Sequence, residues 1–174
     1  PDIAPEPPGL SALCQGFIGQ PNPYANPAPN VDQIVGDGTV PAGAGSQSGC
    51  STAQDETSIA TNPYNPRNIV AGANDYRVFN SRENRADGSG WAYTSFDGGH
   101  SWTNVQLPHL TFQTGGTGPF HYFDAAGDPT LAFGPLNTVY YGNIVFSRAA
   151  PTAPGGTEPA TAIVVNVSHD GGLH

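Results

Sequence analysis

SFDGGHSW, residues 95–102, is the stretch that decides the fold. It runs Ser, any, Asp, any, Gly, any, Ser, aromatic, and each fixed position has a physical task in a hairpin turn. Asp97 accepts hydrogen bonds from the backbone amides that follow it. Gly98 and Gly99 take positive φ without a Cβ penalty. Ser95 and Ser101 bond across the turn, and Trp102 supplies a large apolar plug that should be largely buried. Asp97 is thus read as a turn-fixing carboxylate rather than a catalytic one. The pattern restarts in SHDGGLH, 168–174, with Ser168, Asp170, Gly171 and Gly172 in register and the aromatic position beyond the end of the sequence. Two copies at the same place in two strand sets signal a repeat architecture. Their spacing, 73 residues from Ser95 to Ser168, exceeds the roughly 40 to 50 of common propeller repeats. The excess falls in two loops, Gln113–Tyr122 and Ala149–Ala160.

Strand signals surround each copy. Before the first, ETSIATNP (56–63) reads as a strand closed by a turn at NPYNP (62–66), and RNIVAGAND (67–75) as a second strand. A polar loop is expected from there through Gly90, then a half-buried strand in WAYTSF (91–96) and its return in HSWTNVQL (100–107). The second set holds DPTLAF (128–133), a turn at GPLNT (134–138), VYYGNIVFSR (139–148) and TAIVVNVS (161–168). DPTLAF parallels DETSIA (55–60), and VYYGNIVFSR parallels NIVAGANDYR (68–77). The expected fold is all-β: a partial β-propeller of about two four-stranded antiparallel blades, the second incomplete, behind an extended N-terminal arm. The divisions are an arm at 1–54, a first blade at 55–112, and a second at 113–174 truncated within its box. Seven strands do not close a propeller of about 4 to 8 blades. Remaining blades of the same protein, or neighbouring chains, are expected to cover the edges.

The composition fits this reading. Gly (23) and Pro (18) are abundant, but seventeen aromatics and several β-branched runs can bury a core, so the chain is turn-rich rather than disordered. The formal charge is −9, with no lysine and five arginines (67, 77, 82, 85, 148), which speaks against a nucleic-acid partner. No apolar run approaches 18 residues, so no membrane span is expected. The sequence begins Pro-Asp-Ile-Ala-Pro without methionine, and reads as processed. Cys14 and Cys50 flank a Pro- and Gly-rich stretch; the favoured reading is a disulfide worth about 3 to 4 kcal/mol, the other two unpaired thiols.

With these octapeptides and strands the chain resembles the Asp-box (BNR-repeat) β-propeller superfamily, which includes sialidases, related secreted glycoside hydrolases and non-enzymatic propellers. The resemblance covers about residues 55–174. It implies a secreted protein whose boxes lie between the third and fourth strands of each blade, away from any active site. It also implies a glycan or glycoconjugate as partner.

Sialidases of this family hold a substrate carboxylate with three arginines, and use an Asp acid/base and a Tyr/Glu nucleophile pair. Arg77 in AGANDYR and Asp87 in NRADG occupy places comparable to a family arginine and the acid/base, and are the catalytic candidates. The family's Arg-Ile-Pro motif is missing, which weighs against a true sialidase. The favoured function is a segment acting mainly as scaffold in a glycan-binding parent. The alternatives are a catalytic exo-glycosidase parent and an extracellular assembly protein completed by other chains. No cofactor is required; calcium is a possible one, at Asp124 and Asp128 in HYFDAAGDP. The five histidines lack zinc-ligand spacing, and there is no Walker loop, nucleotide fingerprint or nucleophile elbow.

Overall fold

Alternating apolar residues between Gly- and Pro-rich turns produce strands here, and nothing else of length. The computed structural model describes residues 54–148 and 159–174, and these form an all-β arrangement of two antiparallel sheets. The first sheet has the order β1 (Gln54–Thr61), β2 (Ile69–Asn80), β3 (Arg85–Ser95), β4 (Thr103–Gln106). The second has β5 (Ala125–Phe133), β6 (Val139–Phe146), β7 (Thr161–Ser168). Between the sheets the chain makes two short 3-10 turns, Phe112–Thr114 and Gly118–Tyr122. Four strands and then three, with no closed barrel, is the partial propeller-like fold the sequence announced. Cys14, Cys50 and nearly all of the expected arm lie outside the described residues.

One expected loop is not a loop. Residues 76–80 extend β2 and 85–90 begin β3, so the polar stretch before Gly90 is hairpin with a short turn at 81–84. Its charges hid it, because Arg77 and Asp87 are buried and paired inside the fold rather than solvated. The β2–β3 ladder runs from Ile69↔Ser95 to Asn80↔Arg85, with one irregularity between Asp75 and Val78.

The two sheets repeat each other with a register that the sequence comparison misses by one residue. Ile69 sits between Thr61 and Ser95, as Val139 sits between Phe133 and Ser168. Ile69 is therefore equivalent to Val139, not Asn68, and Arg77 does not correspond to Arg148. Likewise each first strand carries a bulge, between Asp55 and Ser58 and between Gly127 and Thr130. Inside them Glu56 and Asp128 share a left-handed backbone, φ 51° and 50°. Asp128 thus matches Glu56, not Asp55. The connection from first to second strand is two residues longer in the first sheet, which displaces any match made on residue types alone. A one-residue slip exchanges the two faces of a strand, so the correction decides which side chains meet.

The sheets pack face to face through one apolar cluster. Val70, Ala92 and Leu107 of the first region meet Ala126, Val139, Tyr141 and Val145 of the second, with Leu110 and Phe123 from the connection. The Tyr141 ring lies where a Cβ on Gly72 would collide with it, and its hydroxyl donates to the Trp91 carbonyl at 2.9 Å. The other face of the first sheet holds Ala71, Ala73 and Tyr93, with Trp91 and Trp102 against them.

Candidate functional site

The octapeptide turns are built as the sequence implies. Ser95 Oγ donates to Asp97 Oδ1 at 2.8 Å and accepts from the Gly99 amide at 2.8 Å. Asp97 accepts from the Ser101 amide at 2.9 Å and from Ser101 Oγ at 2.6 Å. The Ser101 hydroxyl and amide, then Ser95, hold the Asp97 carboxyl far below the usual carboxylate range. Gly98 and Gly99 adopt φ of 79° and 93°, values that glycine alone takes without strain. Trp102 is half-buried rather than largely buried, its indole N–H donating to the Gly99 carbonyl at 3.1 Å. It lies against Ala71, Ala73 and Tyr93 on the outer face of the first sheet.

The second turn reproduces the first with one exchange. Ser168 Oγ donates to Asp170 at 2.6 Å and accepts from the Gly172 amide at 2.9 Å. His174 stands in the place of Ser101: its amide and Nδ1 both reach Asp170, at 3.1 and 2.6 Å. Burial opposes ionisation of Asp170, but the bonds from Ser168 and His174 outweigh it and lower its pKa well below the ordinary value. Both turns follow the third strand of their sheet, and each is anchored to the strand connection behind it, Gly98 N to Arg67 O and Gly171 N to Asn137 O, both at 2.9 Å.

The second turn also seats on the first sheet. Asn68 Nδ2 donates to the Gly171 carbonyl at 3.0 Å and Thr94 Oγ1 to the Gly172 carbonyl at 2.6 Å. Asn62 Nδ2 reaches Asn137 Oδ1 at 2.9 Å. A Cβ on Gly172 would lie 2.7 Å from Val70 Cγ2 and 2.8 Å from Thr94 Oγ1. Gly172 is therefore fixed twice, by its backbone and by its neighbours. This inter-sheet task was not legible in the octapeptide.

Arg77 and Asp87 do not form one site. Arg77 is buried on the outer side of the first sheet, its guanidinium 3.7 Å from the Trp91 ring centroid. It pairs with Asp75 through Nε at 2.9 Å and Nη2 at 2.8 Å, and Asp75 also accepts from Tyr93 Oη at 2.6 Å. Asp87 is 1% exposed and turned toward the second sheet, where Arg148 Nη2 and Nε lie 2.5 and 3.2 Å away. Asn80 Nδ2 and the Gly88 amide supply two more bonds, at 2.8 and 3.0 Å. Both side chains are buried rather than solvated.

Asp124 and Asp128 have separate partners too. Asp124 is buried and held by Arg82 Nη1 and the Arg148 amide, both at 2.9 Å. Asp128 is exposed on its bulge. Among the described residues no group of three or more His, Cys, Asp or Glu side chains is placed to hold a metal ion.

The place that sequence reasoning missed is a cleft of about 300 Å³ between the sheets. Glu56, Asn74, Tyr76, Asp128, Phe146 and Arg148 line it. Asn74 ties its two edges together: Nδ2 donates to Glu56 at 2.7 Å, and Oδ1 accepts from the Asp128 amide at 2.6 Å. A Cβ on Gly127 would lie 2.8 Å from Asn74 Oδ1. Glu56 and Asp128 are close enough for a hydrogen bond between carboxyls, which, with their mutual repulsion, raises the Glu56 pKa. Burial and the Asp55 charge push the Tyr76 phenol up to about 12, so it stays a protonated donor. Only the matched bulges bring these residues together, and residues 72 apart in sequence carry no local signal.

Compared with known proteins, the chain matches no protein-family model and no curated protein sequence. No described helix is long and apolar enough to cross a membrane.

Proposed function

We propose that the chain is part of a secreted Asp-box β-propeller of sialidase-like type, acting mainly as scaffold in a parent that binds glycans. One observation carries the reading: two octapeptide turns with the same hydrogen bonds follow the third strand of successive sheets, and the second locks onto the first sheet. Turns whose Ser and Asp side chains are spent on fixing the turn itself, the second also seating its carbonyls on a neighbouring sheet, are structural equipment, and catalysis has to come from elsewhere.

The cleft between the sheets is the surface best suited to a ligand. Its volume is at the lower end of the range for small-molecule sites. Carboxyl acceptors at Glu56 and Asp128, a phenol donor at Tyr76 and the Phe146 ring match the hydroxyls and apolar face of one sugar ring. Arg148 is already neutralised by Asp87. The cleft therefore suits a neutral sugar better than one carrying a carboxylate. The exo-glycosidase alternative loses support for the same reason: an acid/base must reach its substrate, and Asp87 is enclosed and ion-paired. Calcium stays outside the reading, since Asp124 is occupied by Arg82.

The test is an NMR titration of the chain with methyl glycosides of neutral hexoses and, separately, with sialyllactose. Shifts confined to the surroundings of Glu56, Tyr76 and Asp128, saturating in the millimolar range and abolished by Tyr76→Phe/Asp128→Asn, are expected for the neutral sugars. No shift with any sugar would count against the glycan reading, and a stronger response to sialyllactose would count against the preference for a neutral sugar. Glycosidase activity in the parent that drops about 10²- to 10⁴-fold in Asp87→Asn but not in Arg148→Met would restore the catalytic alternative.

A further inference from the structure

We infer that the peptide bond from Asp128 to Pro129 is a self-cleavage site, at which the Asp128 carboxylate attacks its own carbonyl carbon and Glu56 supplies the proton. GDPT, residues 127–130, holds the sequence's single Asp-Pro pair. An Asp side chain can close a five-membered ring on its own carbonyl, and the tertiary amide of proline leaves through a more basic nitrogen than other peptide bonds offer. The pair lies in the β5 bulge, between the ladder positions Gly127↔Ile144 and Thr130↔Gly142. Neither residue pairs with β6 in the ladder, so a cut there leaves the strand pairing in place. Asp128 is exposed, and water reaches the bond.

Backbone conformation singles out this bond. The proline ring pushes the residue before it toward extended backbone, and a positive φ is uncommon in any residue but glycine. Asp128 has a φ of 50° and precedes Pro129, so it carries both penalties. The fold imposes that shape: Glu56, the equivalent on β1, has a φ of 51° but is followed by Thr57. The bulge is thus common to both sheets, and only the second puts a cleavable pair in it. The Asp128 amide is also held from outside, by its 2.6 Å bond to Asn74 Oδ1. Scission makes Asp128 a chain end and releases the strain.

The cleft supplies the acid. Glu56 lies within hydrogen-bonding reach of the Asp128 carboxyl, and that contact keeps its proton on to a higher pH than usual. The other charged or titratable groups around the pair are Asp55 from β1, Tyr76 from β2, Asp87 from β3 and Arg148 beyond β6. Asp55 reinforces the hold of Glu56 on its proton, while Arg148 is neutralised by Asp87. In the first step a bond forms from Asp128 Oδ to the Asp128 carbonyl carbon, and the bond from that carbon to Pro129 N breaks. The electron pair stays on the nitrogen, which takes the proton of Glu56. In the second step water opens the cyclic anhydride. Asp128 is left with two carboxyl groups, one of which returns a proton to Glu56, and Pro129 with a free amine. The sum is one water added across one peptide bond.

This inference goes beyond the scaffold reading and needs no sugar, so either can fail alone. In the experiment the full-length protein is held at about pH 5, just above the ordinary carboxyl range, both folded and unfolded in urea. N-terminal sequencing and peptide mass follow the appearance of chains that begin at Pro129. Cleavage at least about 10-fold faster in the folded protein is expected, a ratio that corresponds to about 1.4 kcal/mol of barrier. The Glu56–Thr57 bond should stay intact. Asp128→Asn, which keeps a residue suited to positive φ, should abolish cleavage. Glu56→Gln should slow it at least about 10-fold and remove its decline with rising pH. Cleavage that is absent, or no faster in the folded chain than in urea, overturns the inference. So does a wild-type rate in either variant.

Discussion

Replacing Arg148 by methionine should expose how far the two sheets depend on one ion pair. Arg148 leaves the end of the second sheet and meets Asp87 on β3 of the first, with side-chain exposures of 14% and 1%. Removing one partner of a buried pair costs about 3 to 5 kcal/mol, most of it from the stranded charge. Two features reduce that here. Asp87 keeps the bonds from Asn80 and the Gly88 amide, and the guanidinium end of the pair is partly solvated. A loss of about 2 to 3 kcal/mol follows, at or below the lower end of that range, since two donors and the Arg85 guanidinium 3.9 Å away still face Asp87. For a chain of this size that lowers the melting temperature by roughly 4 to 12 °C, at about 2 to 4 °C per kcal/mol. The assay is urea unfolding and a thermal scan of wild type, Arg148→Met, Asp87→Asn and the double variant. The double variant has no stranded charge, and should recover more than half of the single Arg148→Met loss. Arg148→Met within about 0.5 kcal/mol of wild type, the range of ordinary surface changes, would refute the reasoning.

Three further outcomes follow from the same geometry. Ser95→Ala strands the half-buried Gly99 amide and one Asp97 bond, and should cost about 1 to 3 kcal/mol in urea unfolding; an unchanged midpoint would mean that water replaces the hydroxyl. Gly172→Ala combines a φ of 101° with a Cβ inside contact distance of Val70 and Thr94, and should cost at least about 2 kcal/mol, whereas Gly98→Ala meets only the backbone penalty and should cost less. Stability should respond to pH with opposite signs at two places. Asp97 and Asp170 have depressed pKa values, so their contribution is present above about pH 4 and is lost as pH falls toward their folded values. Glu56 has a raised value, so its contribution is present below about pH 4.5 and is lost as pH rises through its folded value. Glu56→Gln should therefore gain on wild type as pH increases above 4.5, and a difference independent of pH would remove the carboxyl pair from the account.

Reading one sequence disclosed the strands and the turns because both are local. Alternation along TAIVVNVS gave β7 with its observed boundaries, Thr161–Ser168, since side chains on a pleated strand change faces at every residue. SFDGGHSW and SHDGGLH announced their own hydrogen bonds, because donors and acceptors within five residues are brought together by the turn alone. The hairpin over 76–90 was missed because its charged residues read as solvated, and it is the oppositely charged partners, Arg148 for Asp87 and Asp75 for Arg77, that make their burial tolerable.

What the sequence alone determined is the architecture of each sheet: four strands, then three, with an octapeptide turn after each third strand. The tertiary structure decided everything that depends on which residues stand opposite one another. It made Glu56 rather than Asp55 the equivalent of Asp128, divided Arg77 from Asp87, placed Gly172 against Val70, and opened a cleft around Asn74. The physical reason is register. A bulge or a turn two residues longer leaves the local alternation intact, yet it shifts the pairing and moves side chains to the other face of the sheet.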